Sequence, residues 1–166
     1  AVNTRPALGK IASASPALAQ RVAEAPGALQ TLVTAVAAGG AEAAVDLQAT
    51  AGNSARVLAI IAAVNPGLAQ RVAEVEGALP ALVTFLAADG DKARSGAFAL
   101  KCIAGADPAL AQRVAKAPGA LPALIAAVAA GGEAAVMAGR ALDIVRSWAQ
   151  AAAAAAGAAC AHCGRS

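Results

Sequence analysis

The sequence predicts an all-α solenoid of repeated three-helix units, and three observations lead there. One phrase recurs three times, as SPALAQRVAEAPGALQTLVTAVAAGG from Ser15, NPGLAQRVAEVEGALPALVTFLAADG from Asn65 and DPALAQRVAKAPGALPALIAAVAAGG from Asp107. The copies start 50 and then 42 residues apart, and a period of that length belongs to stacked helical repeats. The surplus is an eight-residue insertion within residues 41–51, which the sequence leaves open as helix or loop. Composition agrees, because 59% of the 166 residues are apolar, mostly Ala with Leu and Val, and only 2% are aromatic. Helices built from such a chain must meet through small side chains.

Each unit is justified from its local chemistry. Ser15-Pro16, Asn65-Pro66 and Asp107-Pro108 set a capping side chain before a proline. At the first helical position proline's missing N–H is no loss, and the capping oxygen takes an orphan donor. A short first helix therefore runs through LAQRVAE and stops at Gly27, Gly77 or Gly119, residues suited to a left-handed backbone. The second helix follows at once, with Pro80 and Pro122 in its first turn and Leu79, Leu82, Val83 and Leu86 on one face. Asp89-Gly90 or a pair of glycines ends it. The third helix is the longest, and pairs three residues apart, Leu58 and Ile61, Leu100 and Ile103, Leu142 and Val145, mark its core face. Leu8 and Ile11 keep the same distances from Pro16, so residues 1–14 read as the end of an earlier third helix. The sequence thus reads as part of a longer array, since solenoid ends need capping repeats.

The order of short helix, glycine turn, ALPALV helix, glycine-containing turn and a longer helix ending in A-L-x-x-I resembles the armadillo repeat. The resemblance covers residues 1–149, divided as a partial unit 1–14 and units 15–64, 65–106 and 107–149. HEAT repeats overlap in period, but the extra proline-capped first helix favours the armadillo type. The resemblance implies a right-handed superhelix whose third helices line a concave groove that binds extended peptides. In groove-binding members, positions two before and two after the core Leu carry Trp and Asn. Here they are Pro6 and Lys10, Arg56 and Ile60, Phe98 and Cys102, Arg140 and Ile144. The Asn ladder is missing at these positions, and Arg56 and Arg140 would repel the basic cargo of an import receptor. Arg56, Arg94, Phe98 and Arg140 instead suit an acidic or amphipathic protein segment, Arg supplying charge-assisted bonds and Phe98 an anchor.

A second row, Gln20-Arg21, Gln70-Arg71 and Gln112-Arg113, lies on the first helices. Arg21 and Arg71 have Glu24 and Glu74 one turn on, the spacing of ordinary surface ion pairs, and Lys116 breaks the pattern in unit three. Residues 150–166 form an Ala-rich tail that prolongs the third helix, loosens at Gly157 and ends in Cys160-Ala-His-Cys163-Gly164. That C-x-x-C-G resembles the opening of a MYND-type zinc finger. Cys160 and Cys163 make only half of a four-ligand site, so no cofactor is expected in this chain; the resemblance implies that the other zinc ligands would lie downstream in a longer parent protein, and the alternative is a flexible end whose cysteines bind nothing.

Other function classes are disfavoured on chemistry. One His, no Tyr, and carboxylates beside turns, such as Glu42, Asp89, Asp91 and Glu133, give no convergent catalytic set, and no nucleotide-binding or nucleophile motif appears. Cys102 reads as a small residue on the third helix, not a nucleophile. Net charge is +3 with a sequence pI near 9.1, but acidic residues interleave with basic ones, which argues against nucleic acid. Mean hydropathy is +0.63, yet Pro, Gly pairs and charges such as Asp143 and Arg146 cut the apolar stretches, so no membrane span is expected. Three cysteines and no signal-like run at the start point to a reducing, intracellular compartment. The sequence therefore predicts a non-catalytic protein-binding scaffold without a small-molecule substrate. A structural spacer whose repeats stack end to end is the second reading.

Overall fold

The computed structural model describes residues 15–39, 45–88 and 90–163, with the side chains of residues 45, 152, 153 and 155–163 left out. Unit one comprises α1 (Pro16–Glu24), α2 (Ala28–Ala38) and α3 (Val45–Val64). Unit two comprises α4 (Pro66–Glu74), α5 (Ala78–Leu86) and α6 (Asp91–Ala106). Unit three comprises α7 (Pro108–Lys116), α8 (Ala120–Ala130) and α9 (Gly132–Cys163). No strand occurs among the described residues. The expected third-helix end carrying Leu8 and Ile11 lies outside them.

The caps form as their chemistry dictates. Ser15 Oγ accepts from the Ala17 N–H at 3.3 Å, Asn65 Oδ1 from Leu68 at 2.9 Å, and Asp107 Oδ1 from Ala109 at 2.7 Å. Each proline sits at the start of its helix. Because Asn65 supplies one of the orphan donors of α4 with its acceptor, Asn65→Ala is expected to cost about 1 kcal/mol. A lower urea midpoint with unchanged slope checks this.

The first helices stop earlier than the glycines suggested, at Glu24, Glu74 and Lys116. Each is followed by a four-residue turn in which the N–H of Ala28, Ala78 or Ala120 donates to the carbonyl of Ala25, Val75 or Ala117 at 3.1 Å. Gly27, Gly77 and Gly119 are the third residues of these turns, with φ of 71°, 79° and 73° and ψ near zero, the type II geometry that favours glycine. Pro26 and Pro118 hold the second position and push the preceding residue out of the helical region. Glu76 fills the same place in unit two. The turn sets α7 and α8 at 87° to each other.

The third helices stack, α3 on α6 and α6 on α9, and the second helices stack beside them, α2 on α5 and α5 on α8. α4 and α7 each pack between the preceding third helix and their own. Leu58, Ile61, Leu100, Ile103, Leu142 and Val145 are all buried, as the periodicity requires. Four residues before each core Leu, the buried positions are small: Ser54, Gly96 and Ala138. Here the second helix crosses the third, and the Ser54 hydroxyl is satisfied by donating to the Thr50 carbonyl at 2.9 Å.

α3 has 20 residues against 16 in α6, although both end one residue before a cap. Part of the insertion therefore lengthens a helix by a full turn. Over Asp46–Val64, α3 is long and apolar enough to cross a bilayer by composition, and the bent pair of α7 and α8 passes the same test together. The apolar residues of α3 are used within the solenoid: Ala55, Leu58 and Ile61 are buried among α2, α4 and α6.

α9 runs unbroken from Gly132 to Cys163, so the Ala-rich tail prolongs the third helix as expected but does not loosen at Gly157. Alanines on both sides of Gly157 outweigh the roughly 1 kcal/mol that one glycine costs a helix. Among the described side chains Val145 is the last that is buried, and residues 146–151 and 154 are exposed.

Candidate functional site

The exposed flank of the stacked third helices carries a groove of about 900 Å³. α3 contributes Asn53, Arg56 and Ile60, α6 contributes Lys92, Arg94 and Phe98, and Met137 of α9 closes one side. Arg56 and Phe98 meet there because both stand two residues before a buried core Leu. The helical repeat puts that position on the flank in every unit. Phe98 is half-buried, and the Lys101 ammonium lies 5.2 Å from the centre of its ring, a cation–π distance.

Two of the four sequence-derived residues behave differently from expectation. Arg140 is exposed but does not line the groove, which ends at Met137, one turn earlier on α9. Arg94 does line it, yet its Nη1 bonds Glu133 Oε2 at 2.6 Å, joining α6 to α9. The pair is exposed, at 52% and 75%, so its own contribution to stability is within about 1 kcal/mol. Its consequence is local: part of the Arg94 charge is already answered, and Arg56 and Lys92 carry the groove's positive character against Asp91.

Asn53, Lys92, Lys101 and Met137 escaped the sequence reading. Asn53 is three residues before Arg56 and Lys101 three after Phe98, so helical spacing around the chosen pair is the signal that could have found them. Asn53 sits two turns before Ile60 and brings an amide to the groove from another turn.

The Gln-Arg row also resolves differently. Glu24 and Glu74 accept from Gln20 and Gln70 at 2.8 Å, not from Arg21 and Arg71. A residue four on is about 40° around the helix and one three on about 60°, so the glutamines are better aligned. In unit three Arg113 reaches back and donates to the Ala73 carbonyl at 2.8 Å. That carbonyl is in the last turn of α4, where acceptors lack helical partners and a cation complements the dipole. The row is a clip between consecutive first helices at this junction.

Cys102, the other residue weighed for chemistry, is half-buried and packed against the core. Burial pushes its thiol pKa up, more than the neighbouring Lys101 pulls it down. At neutral pH it holds less thiolate than a free cysteine. In a Cys160→Ser/Cys163→Ser background, Cys102 is expected to react with iodoacetamide several-fold more slowly in the native than in the unfolded chain. Equal rates would contradict this. No cluster of three or more metal-ligating side chains occurs among the described residues. Cys160 and Cys163 lie on helical backbone, and their side chains fall outside those described.

The geometry can be set beside known proteins. No family model matches the sequence, and a search of curated proteins found no match. Among solved structures, a crystal structure of computationally designed armadillo repeat proteins for modular peptide recognition superposes with a TM-score of 0.61 at 26% identity. The match covers 86% of this chain. The fold is an armadillo-type α-solenoid. This chain spans 64% of the length of the designed protein.

Proposed function

We propose that this chain is a non-catalytic scaffold that binds an extended protein segment of acidic or amphipathic character across its third helices. The observation that carries the reading is the convergence of Arg56, Lys92, Arg94 and Phe98 on one groove, cations around a half-buried ring. Asn53 and Ser95 can bond the segment's backbone, Arg56 its carboxylates, and Phe98 with Ile60 and Met137 an apolar side chain. The likeness to proteins designed for modular peptide recognition supports a peptide-binding use.

Peptide display selection against the folded chain, followed by fluorescence anisotropy, tests the reading. Selected peptides are expected to be enriched in Asp, Glu and large apolar residues. Arg56→Glu with Phe98→Ala is expected to weaken their binding about tenfold, or about 1.4 kcal/mol. Arg140→Glu, outside the groove, is expected to change it less than about threefold by the same arithmetic. Peptides that bind the double variant as tightly as the parent would remove the groove from consideration.

A further inference from the structure

We infer that Glu133 is an internal competitor for the groove: in the free chain it holds Arg94, and an acidic side chain of the bound segment takes Arg94 over from it. This rests on the reading of the groove as a site for acidic segments and adds what restrains that site. Arg94 stands between two hollows. It lines the groove beside Lys92 and Phe98, and it also lines a hollow of about 680 Å³ at the starts of α6 and α9, together with Asp91 and Glu133. Glu133 borders that hollow and not the groove. The 2.6 Å bond from Arg94 Nη1 to Glu133 Oε2 therefore commits the guanidinium to a carboxylate outside the groove.

The repeat supplies an internal comparison. Counted from the core residues Leu58, Leu100 and Leu142, Gly52 of α3 corresponds to Arg94 of α6, and Asp91 of α6 corresponds to Glu133 of α9. At the junction of α3 with α6 the pair is thus Gly52 and Asp91, which cannot bond through side chains. α3 nevertheless stacks on α6 as α6 stacks on α9. The ion pair is therefore not what joins one third helix to the next. Where it is missing the trough is open: Gly52 and Asp91 both line the groove, and a Cβ placed on Gly52 would meet nothing within 4 Å. At the corresponding place between α6 and α9 the trough is spanned by Arg94 and Glu133.

The exchange is within reach of a bound carboxylate. Both partners of the pair are exposed, so separating them uncovers no buried charge, and exposed pairs are weak. An acid entering the groove offers Arg94 the same charge-assisted bond that Glu133 supplies, and it meets Arg56 and Lys92 there as well, against Asp91. The displaced Glu133 stays in solvent in the first turn of α9, where the helix dipole favours a negative charge. A neutral amide cannot make the exchange, because it brings no charge to replace that of Glu133. Glu133 thus lowers the affinity for acidic segments and leaves that for their amide counterparts unchanged.

Fluorescence anisotropy on the full chain tests this with two probes, a labelled acidic peptide from the display selection and the same peptide with its Asp and Glu changed to Asn and Gln. Circular dichroism confirms that each variant stays helical. Glu133→Gln is expected to tighten the acidic peptide about threefold, the scale of one exposed ion pair, and to leave the amide peptide unchanged. In an Arg94→Gln background the same substitution is expected to change neither. An acidic peptide that binds Glu133→Gln no tighter than the parent would overturn the inference and leave the groove in place. So would an equal gain with Arg94 replaced, which is the mere loss of a nearby negative charge. If no acidic peptide is selected, or if Arg56→Glu with Phe98→Ala does not weaken it, the groove reading itself fails and this inference with it.

Discussion

Leu100→Ala is expected to lower the unfolding free energy by about 2–5 kcal/mol. Leu100 is completely buried near the middle of α6, and α6 packs against α3, α4, α5, α7 and α9, more neighbours than any other helix of the stack. A cavity there is walled by both adjoining units, so it cannot collapse by shifting one partner. The residue's counterpart Leu142, in unit three, is 7% exposed, and α9 has no later unit on its far side among the described residues. Leu142→Ala is accordingly expected to cost less than Leu100→Ala. Urea unfolding followed by circular dichroism reads both. A Leu100→Ala loss below about 1 kcal/mol would mean that the central unit relaxes freely, contrary to the close packing expected of protein interiors.

The features legible in the sequence were those that local rules decide. The proline-capped starts at Ser15, Asn65 and Asp107 follow from one side chain and one missing N–H, and the buried pairs such as Leu58 and Ile61 follow from helical period. The ends of the first helices were harder. The glycines are required where the sequence placed them, but as the third residue of a type II turn, so the helix ends three residues earlier. Glu76 makes the same turn without a proline, because a type II turn requires only the positive φ that Gly77 supplies at its third position. The groove was half legible. Arg56 and Phe98 came together because both hold one position of the repeat, which sequence alignment can see. Arg94 acquires Glu133, and Arg113 acquires the Ala73 carbonyl, from positions about forty residues away. No rule of neighbouring spacing reaches that far. Arg140 lies outside the groove lining for a similar reason: repetition copies its position, but the groove is a property of how α3, α6 and α9 meet.

Gly96→Ala gives a prediction whose sign separates packing from history. In an ordinary helix interior the change would stabilise, because alanine is favoured over glycine by about 1 kcal/mol. At Gly96 the new Cβ would lie 2.8 Å from the Leu86 nitrogen, 2.9 Å from the Leu82 carbonyl oxygen and 3.1 Å from the Leu86 Cα. These are backbone atoms, so no rotamer change relieves the contact, and α5 must move away from α6. Overpacking of that kind costs on the order of 3 kcal/mol, which leaves a net loss of about 2 kcal/mol once helix propensity is set against it. Moving α5 also disturbs its junction with α8, because both faces of α5 are buried in the stack. The equivalent residue of unit three is Ala138, fully buried and accommodated, so the requirement for glycine belongs to this crossing and not to the repeat as such. Ala138→Gly is expected to destabilise as well, by losing helix propensity and leaving a gap. Opposite substitutions at equivalent positions would then both lower the urea midpoint. If Gly96→Ala raised it instead, α5 and α6 would have to be free to separate at little cost.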